Sequence, residues 1–200
     1  IGGRAIEGVT LTQAATFRAQ YQQLVDTLRS QTSAKIVAAN LPDVTSIPFV
    51  TTVPRVVVNP ATSQPILVNG QQVPLLGPNG PLPSGSYVLL SATSLMAQGH
   101  GIPTALGGRG TPLPDEVFLD PGEVNSIRDR VAQNNQAITQ ICGAAGIPVV
   151  DINGLLKETA GEGLVVGGVI LTSRFLTGGV FSYDGVHPSD LGYAVVANEW

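Results

Sequence analysis

The sequence predicts an α/β domain in which parallel strands are covered by helices. Two observations carry this. Residues 35–41 (Lys-Ile-Val-Ala-Ala-Asn-Leu) and 147–152 (Ile-Pro-Val-Val-Asp-Ile) are short runs that are apolar on both faces, as expected of parallel strands buried between helix layers. The order along the chain is helix, strand, long loop, helix, strand, loop, helix, which suits the second half of a layered α/β domain.

Each element follows from local pattern. Phe17, Tyr21, Leu24, Val25 and Leu28 form one apolar stripe at helical spacing, predicting a helix over residues 11–30 capped by Thr10 or Thr12. Pro42 ends the first strand. Prolines then recur from Pro48 to Pro114, and apolar runs at 65–68, 73–76 and 87–90 predict small strands or hairpin arms. Connections are usually only about 4–6 residues long. Residues 42–121 therefore read as a loop-rich ordered insertion at the carboxyl end of the first strand, the edge where open α/β sheets bind ligands. Asp120-Pro121-Gly122-Glu123 is a strong helix start, with Asp at the cap, Pro at the first helical position and Glu at the third. That helix carries Val124, Ile127, Val131, Ile138 and Ile141 on one side and stops near Gly143 or Gly146. A short helix at 154–159 follows the second strand. Residues 169–171 and 180–181 flank a turn containing Gly178-Gly179, and Ser189 opens the last helix.

Composition narrows the function. The net charge of −4 and the lack of a basic run argue against nucleic acid. No apolar stretch approaches the roughly 18 residues of a membrane span. Charged residues make up only 12%, against a usual value of about 25%, which leaves long ordered loops around an apolar framework. The single cysteine, Cys142, excludes an internal disulfide and falls in a helical run, where it packs as a small apolar residue. The chain opens at Ile1 without an initiator Met and closes at Trp200 inside an amphipathic run, so we expect a fragment of a longer chain.

The most informative segment is Asp184-Gly185-Val186-His187-Pro188. Glycine and proline keep it out of regular helix, and Ser189-Asp190 restarts one at once. A carboxylate three residues before an imidazole has two readings. It can be a capped turn with a solvated His. It can also be an oriented general base, since a neighbouring carboxylate fixes the tautomer of a His and stabilises the imidazolium. Placement at the end of an element, out of apolar structure, raises the second reading.

Residues 181–200 resemble the last block of the SGNH (GDSL-type) serine esterase and lipase family, with its Asp-x-x-His, a following Pro and a closing helix. Residues 38–48 (Ala-Ala-Asn-Leu-Pro-Asp-Val-Thr-Ser-Ile-Pro) resemble the strand and loop of bacterial members, and residues 148–152 the strand before the final block. The resemblance covers most of the chain. It implies a flavodoxin-like three-layer domain with five parallel strands, ester hydrolysis by Ser-His-Asp chemistry, and no cofactor or metal. It makes Asp184 the residue that orients His187, and His187 the general base. It also implies a nucleophile in Gly-Asp-Ser and an oxyanion hole from a Gly and an Asn. Neither Gly-Asp-Ser nor Gly-x-Asn-Asp occurs here, and Ile1-Gly2-Gly3 reads as the start just after the Asn block.

No other serine replaces the nucleophile. Gly85-Ser86 lacks the glycines of a nucleophile elbow, Ser46 lies in a Pro-flanked loop, and Ser182 is two residues from Asp184 and shapes the turn. Asp184, His187 and Asp190 form a weak metal set without a second His. The glycines at 161–167 and 107–110 read as turns rather than phosphate loops. Asp151 follows a strand and could face the site, but reads first as a helix cap or turn residue.

The leading expectation is the carboxyl-terminal part, over residues 1–200, of a single secreted or envelope SGNH hydrolase domain, inactive alone because its serine lies elsewhere. Its substrate would be a small-molecule or lipid acyl ester. With strands missing beside residues 35–41, the isolated chain is expected to aggregate or stay partly unfolded. The alternative from another class is a noncatalytic carbohydrate- or protein-binding module built on the Pro-rich segment.

Overall fold

A computed structural model describes residues 3–200; Ile1 and Gly2, where the sequence reading placed the chain start, lie outside the described residues. In chain order the elements are α1 (Ala14–Gln31), β1 (Ala38–Ala39), α2 (Pro48–Thr51), β2 (Leu67–Val68), β3 (Gln71–Gln72), β4 (Leu76–Gly77), β5 (Gly80–Pro81), β6 (Tyr87–Val88), α3 (Thr93–Ala97), β7 (Phe118–Leu119), α4 (Pro121–Ala145), β8 (Val149–Val150), α5 (Ile152–Ala160), β9 (Leu164–Val166), β10 (Val169–Leu171) and α6 (Asp190–Ala197). Two compact units share them. One comprises residues 48–125 with residues 3–5; the other comprises residues 6–47 and 126–200.

In the second unit β1 and β8 pair in parallel, Ala38 opposite Val149 and Ala39 opposite Val150. Val25 of α1 packs there with Ala137, Ile138, Ile141 and Cys142 of α4 and with Ile147. Of the predicted stripe, Phe17, Tyr21 and Val25 meet the apolar strands in this core, whereas Leu24 and Leu28 stay exposed. The extents of these elements differ from expectation. Only two residues of each strand lie in the ladder. Leu41 turns away because Asn135 of α4 takes both its backbone groups: Leu41 N donates to Asn135 Oδ1 at 2.7 Å, and Asn135 Nδ2 donates to Leu41 O at 2.8 Å. Ile152 opens α5 instead of closing β8. Helix α1 begins at Ala14, not Leu11, and neither Thr10 nor Thr12 caps it. The residue before the helix is Gln13, which makes no side-chain cap. Thr10 serves a separate turn, its Oγ1 accepting from Ile6 N at 2.8 Å.

Among the described residues the five-stranded parallel sheet implied by the resemblance is not formed. Among the described residues β1–β8 is the one parallel pair, and β2–β3, β4–β5, β6–β7 and β9–β10 are antiparallel. The glycines at 161–167 predict a turn where β9 forms. The apolar run Leu164-Val165-Val166 instead pairs with β10 across Gly167-Gly168, both at positive φ. Leu171 at the end of β10, Val180 and Val195 of α6 form a second small core, which anchors the chain on both sides of the 181–188 loop.

The other unit has its own core of Val57, Leu75, Leu82, Val88, Leu113 and Phe118. Its hairpins match the predicted arms only in part: β2 and β3 turn over Asn69-Gly70, with φ of 52° and 77°, the conformation that an Asn-Gly turn favours. The start of α4 is as read from sequence. Glu123 N donates to Asp120 Oδ1 at 2.8 Å, and Asp120 N donates to Glu123 Oε2 at 3.0 Å.

Candidate active site

The loop carrying Asp184 and His187 is closed by backbone. Phe181 and Pro188 form an antiparallel bridge. Ser182 N donates to His187 O at 2.8 Å, and Gly185 N donates to Ser182 O at 3.0 Å. Gly185 sits at φ 70°, the left-handed region that a side chain resists. Beyond the loop, Ser189 caps α6: its Oγ accepts from Gly192 N at 3.0 Å and donates to Gly179 O at 2.5 Å. Gly192 lets this first turn touch the Val180 carbonyl, since a Cβ there would lie 2.1 Å from that oxygen. The loop is thus pinned at both ends to a small core and a capped helix.

The structure brings the two predicted residues together. His187 Nδ1 lies 2.6 Å from Asp184 Oδ2. The other oxygen, Oδ1, accepts from Ser182 Oγ at 2.7 Å, Val186 N at 2.9 Å and His187 N at 2.9 Å. These donors favour the ionised form, and the imidazole first, then the Ser182 hydroxyl, hold the Asp184 carboxyl well below the usual carboxylate range. An ionised carboxylate only accepts hydrogen bonds, so Nδ1 carries the proton it shares. In the neutral ring Nε2 is then the basic nitrogen. Within its own unit, and among the described residues, the imidazole makes no other hydrogen bond, and its side chain is 68% exposed. An oriented imidazole with a free basic nitrogen can take a proton from a group brought to it.

Two of the serines considered from sequence have other partners, and the third is buried. Ser182 Oγ is spent on Asp184, and Ser46 Oγ donates to Asp43 O at 2.7 Å. Ser86 is buried in the other unit. Among the described residues no group of three or more His, Cys, Asp or Glu gathers as a metal site, and no helix is long and apolar enough to cross a membrane.

A second polar cluster sits at the carboxyl ends of β1 and β8. Asn40 Nδ2 donates to Asp151 Oδ1 at 2.6 Å, Asn153 N donates to Asn40 Oδ1 at 2.8 Å, and Asp43 N donates to Asn153 Oδ1 at 3.1 Å. Asp151 caps α5 through Gly154 N, as its sequence position suggested. The Asn40 amide, then Gly154 N, lower its pKa. Sequence reasoning did not find the roles of Asn40, Asn135 and Asn153. Isolated Asn residues carry no periodicity, and their partners lie 94 or more positions away.

The family model of GDSL-like lipases and acylhydrolases matches residues 5–200. The chain belongs to that family. The match takes in the parallel pair, the Asp184–His187 loop and α6, and it accords with the mixed α/β architecture. No curated protein and no solved structure is significantly similar to it.

Proposed function

We propose that this chain carries the Asp–His half of a serine esterase that cleaves carboxylic esters, and that its serine is supplied by a segment outside residues 1–200. The observation that carries the reading is the Asp184–His187 contact at 2.6 Å, with Nε2 left unbonded within its own unit among the described residues. Family membership directs that base to ester substrates and favours this reading over a noncatalytic binding module.

In the proposed cycle the serine hydroxyl gives its proton to Nε2 as its oxygen attacks the ester carbonyl. Asp184 stabilises the imidazolium that results. Nε2–H then protonates the departing alcohol, leaving an acyl-enzyme, and water repeats the sequence to release the acid. The oxyanion hole, by resemblance, comes from a Gly and an Asn in the same missing segment. Residues 42–121 would be an elaboration of this one domain that shapes substrate preference, and the whole protein would act outside the cell or in the envelope.

A free sheet edge supports the missing segment. Ala38 N donates to Pro148 O and Asn40 N to Val150 O, which leaves the Val37 and Ala39 edge without a strand partner among the described residues. A groove of about 290 Å³ opens beside it, lined by Leu24, Leu28, Val37 and Trp200 among others, all four exposed. Bare strand edges and apolar faces of this kind recruit further strands or aggregate.

The experiment is activity towards an activated ester, compared between residues 1–200 and the intact protein. Only the intact protein is expected to show turnover that disappears in His187→Ala. Clear His187-dependent turnover by residues 1–200 alone would overturn the external serine, and intact protein indifferent to His187 would overturn the dyad.

A further inference from the structure

We propose that Ser182 is a positioning residue for the dyad: its hydroxyl ties down one oxygen of Asp184 so that the other faces the imidazole. The inference rests on the esterase reading above and adds a residue that the Asp-x-x-His pattern does not contain.

The last torsion of an Asp side chain is broad and roughly two-fold, so the residue itself does little to hold the plane of its carboxylate. Here the plane is set from outside. Oδ1 takes three donors, Ser182 Oγ, Val186 N and His187 N, while Oδ2 takes His187 Nδ1. The two amides come from the limb of the loop that follows Asp184. Ser182 is the donor from the limb that precedes it, and so it opposes rotation from the other side. The Asp184 side chain is 50% exposed, so water competes for any oxygen the protein leaves free. A fixed hydroxyl removes that competition at Oδ1 without reorganisation during the reaction.

The same residue holds the partner. Ser182 N donates to His187 O, and Ser182 O accepts from Gly185 N. These backbone bonds survive replacement of the side chain. A residue that only shapes the turn would therefore tolerate Ser182→Ala, whereas a positioning residue would not. A hydroxyl committed to the carboxylate also serves the dyad better as an orienting donor than as the group that Nε2 deprotonates.

The test uses the intact protein with Ser182→Ala, Ser182→Thr and Ser182→Cys. With a short activated ester, Ser182→Ala is expected to lower kcat about tenfold with KM unchanged, the scale of one hydrogen bond to a charged group. Threonine, which keeps the hydroxyl, should restore most of the rate. Cysteine, a weak donor of similar size, should behave like alanine, which separates donation from volume and stands in if the alanine variant fails to fold. In ¹⁵N-histidine spectra the Nδ1 proton of His187 should shift or broaden in the Ala and Cys variants and not in Thr. Unchanged kcat together with an unchanged Nδ1 resonance in folded Ser182→Ala would overturn the proposal. If His187→Ala leaves hydrolysis intact, the esterase reading falls, and the resonance still decides whether Ser182 orients the pair.

Discussion

Asp184 and His187 meet through Oδ2 and Nδ1 at 2.6 Å, three residues apart on a loop, while the carboxylate's other oxygen is occupied by a hydroxyl and two amides. The contact is local in sequence, but its direction is set by groups on both limbs of the loop. That arrangement assigns the proton to Nδ1 and makes Nε2 the basic nitrogen of the neutral ring. In the intact protein, Asp184→Asn should lower kcat by about 10⁴-fold, the scale of the same change in a Ser-His-Asp triad, because an amide can hold the ring in the wrong tautomer. His187→Ala should abolish the remaining base catalysis. Steady-state kinetics on a soluble ester checks both, with KM expected to change little.

Acid should weaken the loop in a defined window. The native carboxyl of Asp184 lies below its ordinary value, so its contribution is present above about pH 3.9 and is lost as pH falls from there through the depressed native value. Denaturant melts of the intact protein and of Asp184→Asn between pH 5 and 2 should converge as the acid is added. Parallel curves throughout would contradict this.

At the other end of the scale, burial first and then the Cys142 contact push the Tyr21 phenol up to about 12. A raised native pKa means stability that is complete below the ordinary tyrosine value of about 10 and is lost as pH rises from there towards 12. Tyr21→Phe should flatten the alkaline part of the stability curve. Cys142 is fully buried, so a thiol reagent should leave it unmodified until the protein unfolds.

Asn135 replaces a strand neighbour at Leu41 by meeting both its N–H and its C=O. Asn135→Ala should cost about 1–3 kcal/mol, because it strands two part-buried backbone groups. Thermal or urea unfolding measures the loss. A melt unchanged from the parent would show that water satisfies Leu41 instead.

Sequence alone determined what depends on neighbours within a few residues. The apolar stripe from Phe17 to Leu28, the capping box at Asp120 and Glu123, the cap at Ser189 and the Asp-x-x-His loop are all short-range patterns. Local sterics and hydrogen bonding write them directly into residue order. The tertiary structure decided what requires a partner far along the chain: that β1 keeps only Ala38 and Ala39 in its ladder, that Asn135 completes Leu41, and that Asn40 and Asp151 close the strand ends. Strand extent and polar pairing are fixed by which groups arrive opposite, and packing brings those groups together. The orientation of the dyad belongs to both. The spacing of Asp184 and His187 permits the contact, and the folded loop that brings Ser182 against Asp184 decides which oxygen makes it.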